Sequence, residues 1–179
     1  MIPRLETERL ILRECRPEDF EAFAAIVADP DVMRFIHGEP MSRGDAWRAF
    51  AYGIGHWHLR GYGSWGVERK SDGAFMGRVG MVNPEGWPGL EVGWTLGKPY
   101  WHKGYATEAA RVAMAYTFLT QPLDRVISCI DPGNKPSQAV ALRLGESKGP
   151  PQDIVIGGKT YSIDIWSITR AEWQRRQDA

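Results

Sequence analysis

Residues 90–116, LEVGWTLGKPYWHKGYATEAARVAMAY, carry a strand into a short loop and then directly into a helix. Gly104 and Ala106 place no bulk beside the first helical turn, so the amide groups of residues 102–107 point outward with no intrahelical acceptor. Such a helix start attracts anions through its free N–H groups and its dipole, and the geometry suits a pyrophosphate. Gly104 is expected to permit a backbone approach that a Cβ would obstruct, and Lys103 adds a mobile positive charge. An ordinary capped helix after a turn has the same spacing.

Other combinations of reactive residues carry less. Gly61, Gly63 and Gly66 spell G-x-G-x-x-G, but they follow a helix and precede a strand, the reverse of the dinucleotide-binding order. Gly158-Lys159-Thr160 resembles the end of a P-loop, yet Asp153 stands where the first glycine belongs and a strand follows, so a hairpin turn is the better reading. His56 and His58 lack the helical i, i+4 partner or nearby cysteine that would complete a metal site, and no metal is expected. Cys15 and Cys129 have no paired histidine and no Cys-x-x-Cys context, so neither reads as a nucleophile. Trp47, Trp57, Trp65, Trp87 and Trp94 are core or wall residues by type; their number, eight in the chain, hints at an apolar or aromatic ligand.

The composition sets the frame for these residues. At 179 residues and 43% hydrophobic content the chain is long enough for one sizeable core, and a single domain over 1–179 is expected. Twenty-two basic residues balance twenty-two acidic ones, so no general attraction to nucleic acid or an anionic membrane is implied and an anion must be held locally. The opening MIPRLETERL lacks the apolar run of a signal peptide, and no stretch approaches a membrane span, so a cytoplasmic protein is expected.

Periodicity places the elements. A first strand is expected over TERLILR, 7–13, followed by a helix opened by Pro17 with Phe20, Phe23, Ala24 and Val27 on its buried face. A second helix is capped by Ser42 and carries Ala46, Trp47, Phe50 and Ala51 on one stripe. Strands over 63–70, 74–82 and 89–97 form an antiparallel meander; a helix covers 104–119, a strand 125–130, a helix 136–144 and a last strand TYSIDIWSIT. A short surface helix around 173–177 closes the chain. Ala106, Ala109, Ala110 and Ala113 make a small-residue stripe that lets the 104–119 helix lie close to the sheet. The predicted order is β-α-α-β-β-β-α-β-α-β, a mixed α/β architecture that is neither doubly wound nor a barrel.

With these residues in this order, nearly the whole chain resembles the GNAT acetyltransferases, in particular their RimJ/RimL-like subgroup. The likeness rests on TERLILR, PEDFEAFAAIVADPDVMRF, EVGWTL, PYWHKGYATEA, the Asn134-x-x-Ser137 step and IDIWSITRAEW. In the family's phosphate-loop motif Trp101 takes the first, usually cationic place, with Gly104 and Ala106 following, which leaves backbone amides as the main phosphate ligands. The resemblance implies a central, largely antiparallel sheet flanked by helices, its fourth and fifth strands (89–97 and 125–130) splayed around the pantetheine arm of acetyl-coenzyme A. It implies cofactor contacts from Trp94, Thr95, Leu96, His102, Lys103, Gly104, Tyr105, Ala106, Thr107, Asn134 and Ser137. Backbone groups of Trp94 and Leu96 would pair with the pantetheine amides, and an N–H near Gly93 or Trp94 would face the thioester oxygen.

The acceptor implied is a primary amine, either a protein amino terminus or a small molecule, handled by a monomer or homodimer. An amine attacks only when neutral, so a base or a water path is required. Strand alternation puts Glu91, Gly93 and Thr95 on one face, which makes Glu91 the first candidate base; a solvated carboxylate on a half-exposed strand is the other reading. Where many of these enzymes carry a tyrosine, four residues before Gly145, this chain has Ala141. Ser137 is then the remaining hydroxyl on that helical face, expected to position more than to protonate. Asn134 matches a pantetheine contact and equally a helix cap. Glu146 stands where the family usually has phenylalanine. The missing tyrosine leaves a noncatalytic acyl-CoA sensor as the rival to an enzyme, and a nucleotide-binding regulator as a third possibility.

Overall fold

A computed structural model describes every residue except His37, Gly157, Asp178 and Ala179. Among the described residues, eight strands form one sheet in the order β1-β2-β3-β4-β5-β6-β8-β7. They are β1 (Leu5–Glu6), β2 (Leu10–Arg13), β3 (Ser64–Arg69), β4 (Phe75–Val82), β5 (Glu91–Leu96), β6 (Arg125–Ile130), β7 (Ser147–Ile156) and β8 (Lys159–Thr169). Six α-helices accompany them: α1 (Phe20–Val27), α2 (Pro30–Met33), α3 (Arg43–Arg60), α4 (Tyr105–Thr120), α5 (Lys135–Leu144) and α6 (Arg170–Gln177). The expected mixed, antiparallel-dominated sheet is present, and β5 and β6 are its one parallel neighbour pair.

Two larger cores, with a small third one of Ile130, Ala141 and Trp166 under α5, hold the helices to the sheet. Against one face α4 buries Ala109, Ala110, Ala113, Met114 and Phe118 on Val79, Met81, Val92 and Leu96. The alanines are fully buried, and their small volume is what brings the amino end of α4 down to the strand ends. α1, α2 and α3 form the second core, with Phe20, Phe23, Val27, Met33 and Phe50 against Phe75. α3 starts where Ser42 predicts, its hydroxyl accepting from the Asp45 amide at 3.1 Å, and Gly61 ends it in a left-handed turn, φ 74°.

Several expectations are corrected. The first strand is split, with Thr7 Oγ1 accepting from the Leu10 amide at 3.0 Å between β1 and β2, and Arg13 is buried although two-residue alternation from the inward Leu10 and Leu12 would turn it outward. Arg13 donates to both Asp19 oxygens at 2.7 and 2.9 Å and to Glu68, so alternation is overridden by ion pairing. The 10-residue strand β7 was not expected, because Pro150 and Pro151 argue against a central strand; it is tolerated at the sheet edge, with a register shift at those prolines. The β7–β8 hairpin turns at Gly158, φ 79°, in agreement with the turn reading there. His56 is a structural residue: Nδ1 lies 2.8 Å from the Tyr62 carbonyl and Nε2 accepts from the Asn83 amide at 3.3 Å.

Candidate active site

The loop before α4 combines two left-handed residues, His102 at φ 58° and Gly104 at φ 81°. The first helical bond is Glu108 N to Gly104 O, 3.0 Å, so the amides ahead of Glu108 have no partner within the helix. A Cβ at Gly104 would meet only the end of Arg9, at 3.4 Å. The backbone angle by itself therefore favours glycine here. Lys103 Nζ donates to the Pro99 carbonyl at 2.8 Å, which leaves its charge beside the loop.

Sequence reasoning missed the residue that pins this loop. Arg9 donates through Nη1 to Lys103 O at 3.0 Å and through Nε to Glu108 at 2.7 Å, and its guanidinium lies 4.4 Å from the Tyr105 ring centre. Nothing local signals a contact 94 residues along the chain.

The cleft begins where β5 and β6 part. Their one paired position is Glu91 with Ile127, where the Ile127 amide donates to Leu90 O at 3.1 Å. The Gly97 amide donates to Met76 O, so in the alternating antiparallel ladder Thr95, Gly93 and Glu91 exchange bonds with β4 while Leu90, Val92, Trp94 and Leu96 turn theirs towards β6. Three of those carbonyls are taken: Leu90 by Ile127, Val92 by Ser128 Oγ at 2.8 Å, and Leu96 by Trp101 Nε1 at 2.7 Å. Trp94, with both its N–H and its carbonyl, and the Leu96 N–H are left facing the gap. Of the two candidate amides, Gly93 and Trp94, it is Trp94 that points into the cleft. Trp101, in the motif's cationic place, serves the Leu96 carbonyl instead.

Two cavities meet here. One, of about 1010 Å³, is lined by every residue expected to contact the cofactor: Trp94, Thr95, Leu96, His102 to Thr107, Asn134 and Ser137. The other, of about 470 Å³, contains Glu91, Trp87, Cys129, Arg78, Tyr161 and Phe35. Trp94, Thr95, Asn134 and Ser137 line both. Such an arrangement fits coenzyme A on one side: unpartnered amides for the phosphates, and an orphaned strand edge for the pantetheine amides.

Glu91 is 9% exposed, so it is not the solvated carboxylate of the alternative reading. Burial pushes its carboxyl up to about 7, against the Cys129 amide at 3.0 Å and Trp87 Nε1 at 2.7 Å, which both donate to it and favour its charged form. Trp87 was read only as wall. Ser137 accepts from Trp94 Nε1 at 3.2 Å. Asn134 is the amino cap of α5, its Oδ1 accepting from the Ser137 amide at 3.2 Å, and it lines both cavities in that role. Ala141 is fully buried between Trp94 and Trp166, so apolar packing occupies the place of the missing tyrosine.

Glu146, where phenylalanine was expected, is 2% exposed and its Oε1 lies 2.9 Å from Ser128 Oγ. A serine has one proton, and here two acceptors stand within bonding distance of it, Val92 O and Glu146. Both contacts are satisfied only when the carboxyl is neutral and donates to Ser128, which in turn donates to Val92. Burial, with Glu91 adding repulsion, raises the Glu146 carboxyl to about 8. The chain Glu146–Ser128–Val92 thus ties β6 to β5 immediately before Trp94.

Both thiols are poor nucleophiles. Burial raises Cys15 to about 11, and burial together with Glu91 raises Cys129 further.

The family model described as acetyltransferase (GNAT) domain matches residues 9–146. The chain belongs to the GNAT acetyltransferase family. YkkB of Bacillus subtilis (strain 168) is 34% identical over 151 residues, covering 79% of this chain and 84% of that protein. The N-acetyltransferase YoaA of the same organism is 26% identical over 175 residues, 95% and 98% of the two chains. Among solved structures, the acetyltransferase from Agrobacterium tumefaciens str. C58 superposes with a TM-score of 0.82 at 29% identity, over 94% of this chain and 95% of that one. This GNAT chain is accordingly an acetyltransferase, and none of its helices, among the described residues, is long and apolar enough to cross a membrane.

Proposed function

We propose that residues 1–179 act as one acetyltransferase domain that moves an acetyl group from acetyl-coenzyme A directly to a primary amine, of a small molecule or a protein terminus. The observation that carries this reading is the junction of the two cavities at Trp94, Thr95, Asn134 and Ser137, with a buried acid on one side and unpartnered amides on the other. The amides of 102–107 hold the pyrophosphate, and the free backbone groups of Trp94 and Leu96 orient the pantetheine arm. When bound, acetyl-coenzyme A supplies an activated acyl group. The Trp94 N–H faces the point where negative charge grows on the acyl oxygen, and a donor so placed is worth about 3 to 4 kcal/mol in characterised enzymes.

Glu91, poised near neutrality, takes the proton of the incoming ammonium group directly or through one water. Ser137 positions the sulfur end, which needs no acid because a thiol of pKa near 8.5 leaves readily as thiolate. The raised thiols of Cys15 and Cys129 favour a ternary complex over an acyl-enzyme. Coenzyme A release from acetyl-coenzyme A with a broad panel of amines and peptides tests the proposal. Tight cofactor binding with no turnover on any acceptor would instead describe an acyl-CoA sensor.

A further inference from the structure

The cavity lined by the acids Glu91 and Asp131 is also lined by one charge of opposite sign. Arg78 sits on β4 opposite Thr95, on the sheet face that Glu91 shares, and lines that cavity. Its Nη1 donates to the Ala49 carbonyl at 3.0 Å, and its guanidinium lies 4.2 Å from the ring centre of Phe23. Among the described residues no carboxylate lies within 4 Å of it.

Arg13 shows how the same chain treats a buried guanidinium that serves only the fold: two carboxylates, Asp19 and Glu68, bracket it. Arg78 has no such partner, although burial penalises its charge. Five N–H donors on a guanidinium leave it with unused bonding capacity. α3 makes room for the side chain as well, since a Cβ on Gly53 would fall 2.6 Å from Arg78 Nη1. Arg78 is half-buried, and a partly desolvated cation without a counter-ion costs free energy that an anionic ligand would offset.

We propose that Arg78 pairs with an oxyanion carried by the acceptor, so that the acceptor is an amine bearing a carboxylate or a phosphate-like group. The inference rests on the acetyl-transfer reading of this site. Glu91 and Arg78 then receive the two ends of a zwitterion, the amine at the β6 side of the cavity and the oxyanion at the β4 side. Phe35, Trp87, Trp94 and Tyr161 wall the space between and favour an apolar or aromatic body. A bidentate fork suits either oxyanion, and a small zwitterion fits a cavity of about 470 Å³.

The test uses matched pairs: L-phenylalanine against phenethylamine, L-leucine against isoamylamine, and 1-amino-2-phenylethylphosphonate as the alternative anion. Coenzyme A release gives kcat/KM, and calorimetry on protein saturated with coenzyme A gives affinity without any acetyl transfer. The expected result is at least about a tenfold preference for an oxyanion-bearing member over its match, the size of one charge-assisted bond. Arg78→Met should abolish that preference while leaving acetyl-coenzyme A affinity unchanged, and Arg78→Lys should keep part of it. Preference for the phosphonate over the amino acid would support the pairing and assign the anion. Equal use or equal binding of both members in every pair overturns the proposal in wild-type protein alone, whether or not the variants fold. A preference seen by calorimetry without turnover would support the Arg78 pairing and count against the transfer reading instead.

Discussion

The Glu91 carboxyl bridges a gap that its own backbone does not, accepting the amide of Cys129 at 3.0 Å across the point where β5 and β6 part. A group that holds the mouth of the cleft in register thus also lines the smaller cavity, where the acceptor is proposed to bind. Its removal should be felt in chemistry more than in cofactor affinity.

Glu91→Gln is expected to lower kcat by about 100-fold or more at pH 7, the usual worth of a positioned base, with acetyl-coenzyme A affinity little changed. Wild-type kcat/KM should rise as pH passes through about 7, where Glu91 ionises. The deficit of the variant should shrink at high pH, where free amine is abundant. A variant whose pH profile overlays that of wild type would remove Glu91 as the base.

Gly104 separates backbone angle from bulk. Because its φ is 81°, Gly104→Ala should cost roughly 1 kcal/mol of stability and Gly104→Val more, since the left-handed region penalises any side chain and β-branching most. If the loop holds the pyrophosphate, Gly104→Val should also weaken acetyl-coenzyme A binding severely in a folded protein. Unchanged calorimetric affinity in such a variant would sink the loop assignment.

Ser137→Ala is expected to cost less than about tenfold in kcat, because the leaving thiolate needs little help. The loss should fall mainly on acetyl-coenzyme A affinity, as Trp94 Nε1 loses its acceptor at the meeting of the cavities. A fall of about 100-fold in kcat with affinity intact would make the serine an acid in the transition state.

Glu146 makes a prediction about stability. Its folded pKa, about 8, lies above the ordinary value of 4.5, so the contribution of the neutral form is fully present below about 4.5 and is lost as pH rises through 8. The total at stake is on the order of 5 kcal/mol. Melting temperature of the wild type should therefore fall between pH 6 and 9 more steeply than that of Glu146→Gln, whose amide N–H still donates to Ser128. Parallel curves for the two proteins would show that Glu146 is already ionised in the folded state.

The parts of the fold visible in the chain were those whose signal is local. The β3–β4–β5 meander, α4 and α5 are marked by alternation, by capping residues and by turn glycines, and they appear close to their expected bounds. β7 was hidden because Pro150 and Pro151 read as loop, and only its place at the sheet edge makes them harmless. The candidate site divides in the same way. Glu91 and the 102–107 loop could be picked out because each sits in a strongly patterned segment. Arg9, Arg13 and Arg78 could not, since a charged residue reads as surface until its distant partner, or the lack of one, is known, and Glu146 stood out as a departure without its burial or its Ser128 partner being foreseen. Resemblance to a family helps least at such positions, because Glu146 and Ala141 are where this chain departs from it.

The single paired position between β5 and β6 has a thermodynamic side. It makes the sheet two blocks, β1 to β5 and β6 to β8, sewn by one ladder rung, the Glu91 and Ser128 side chains and the helix α4 that connects them. Opening along that seam breaks few backbone bonds, so what resists it is side-chain packing: Val126, Leu144 and Ile168 of the second block share one buried core with Val79 and Val92 of the first. A ligand lying along the Trp94 edge would bond to one block and pack on the other, and its binding free energy would be spent in part on fusing them. Amide exchange at Ile127 and Cys129, whose N–H groups are bonded across the seam, would then report how far the molecule melts as one body or as two.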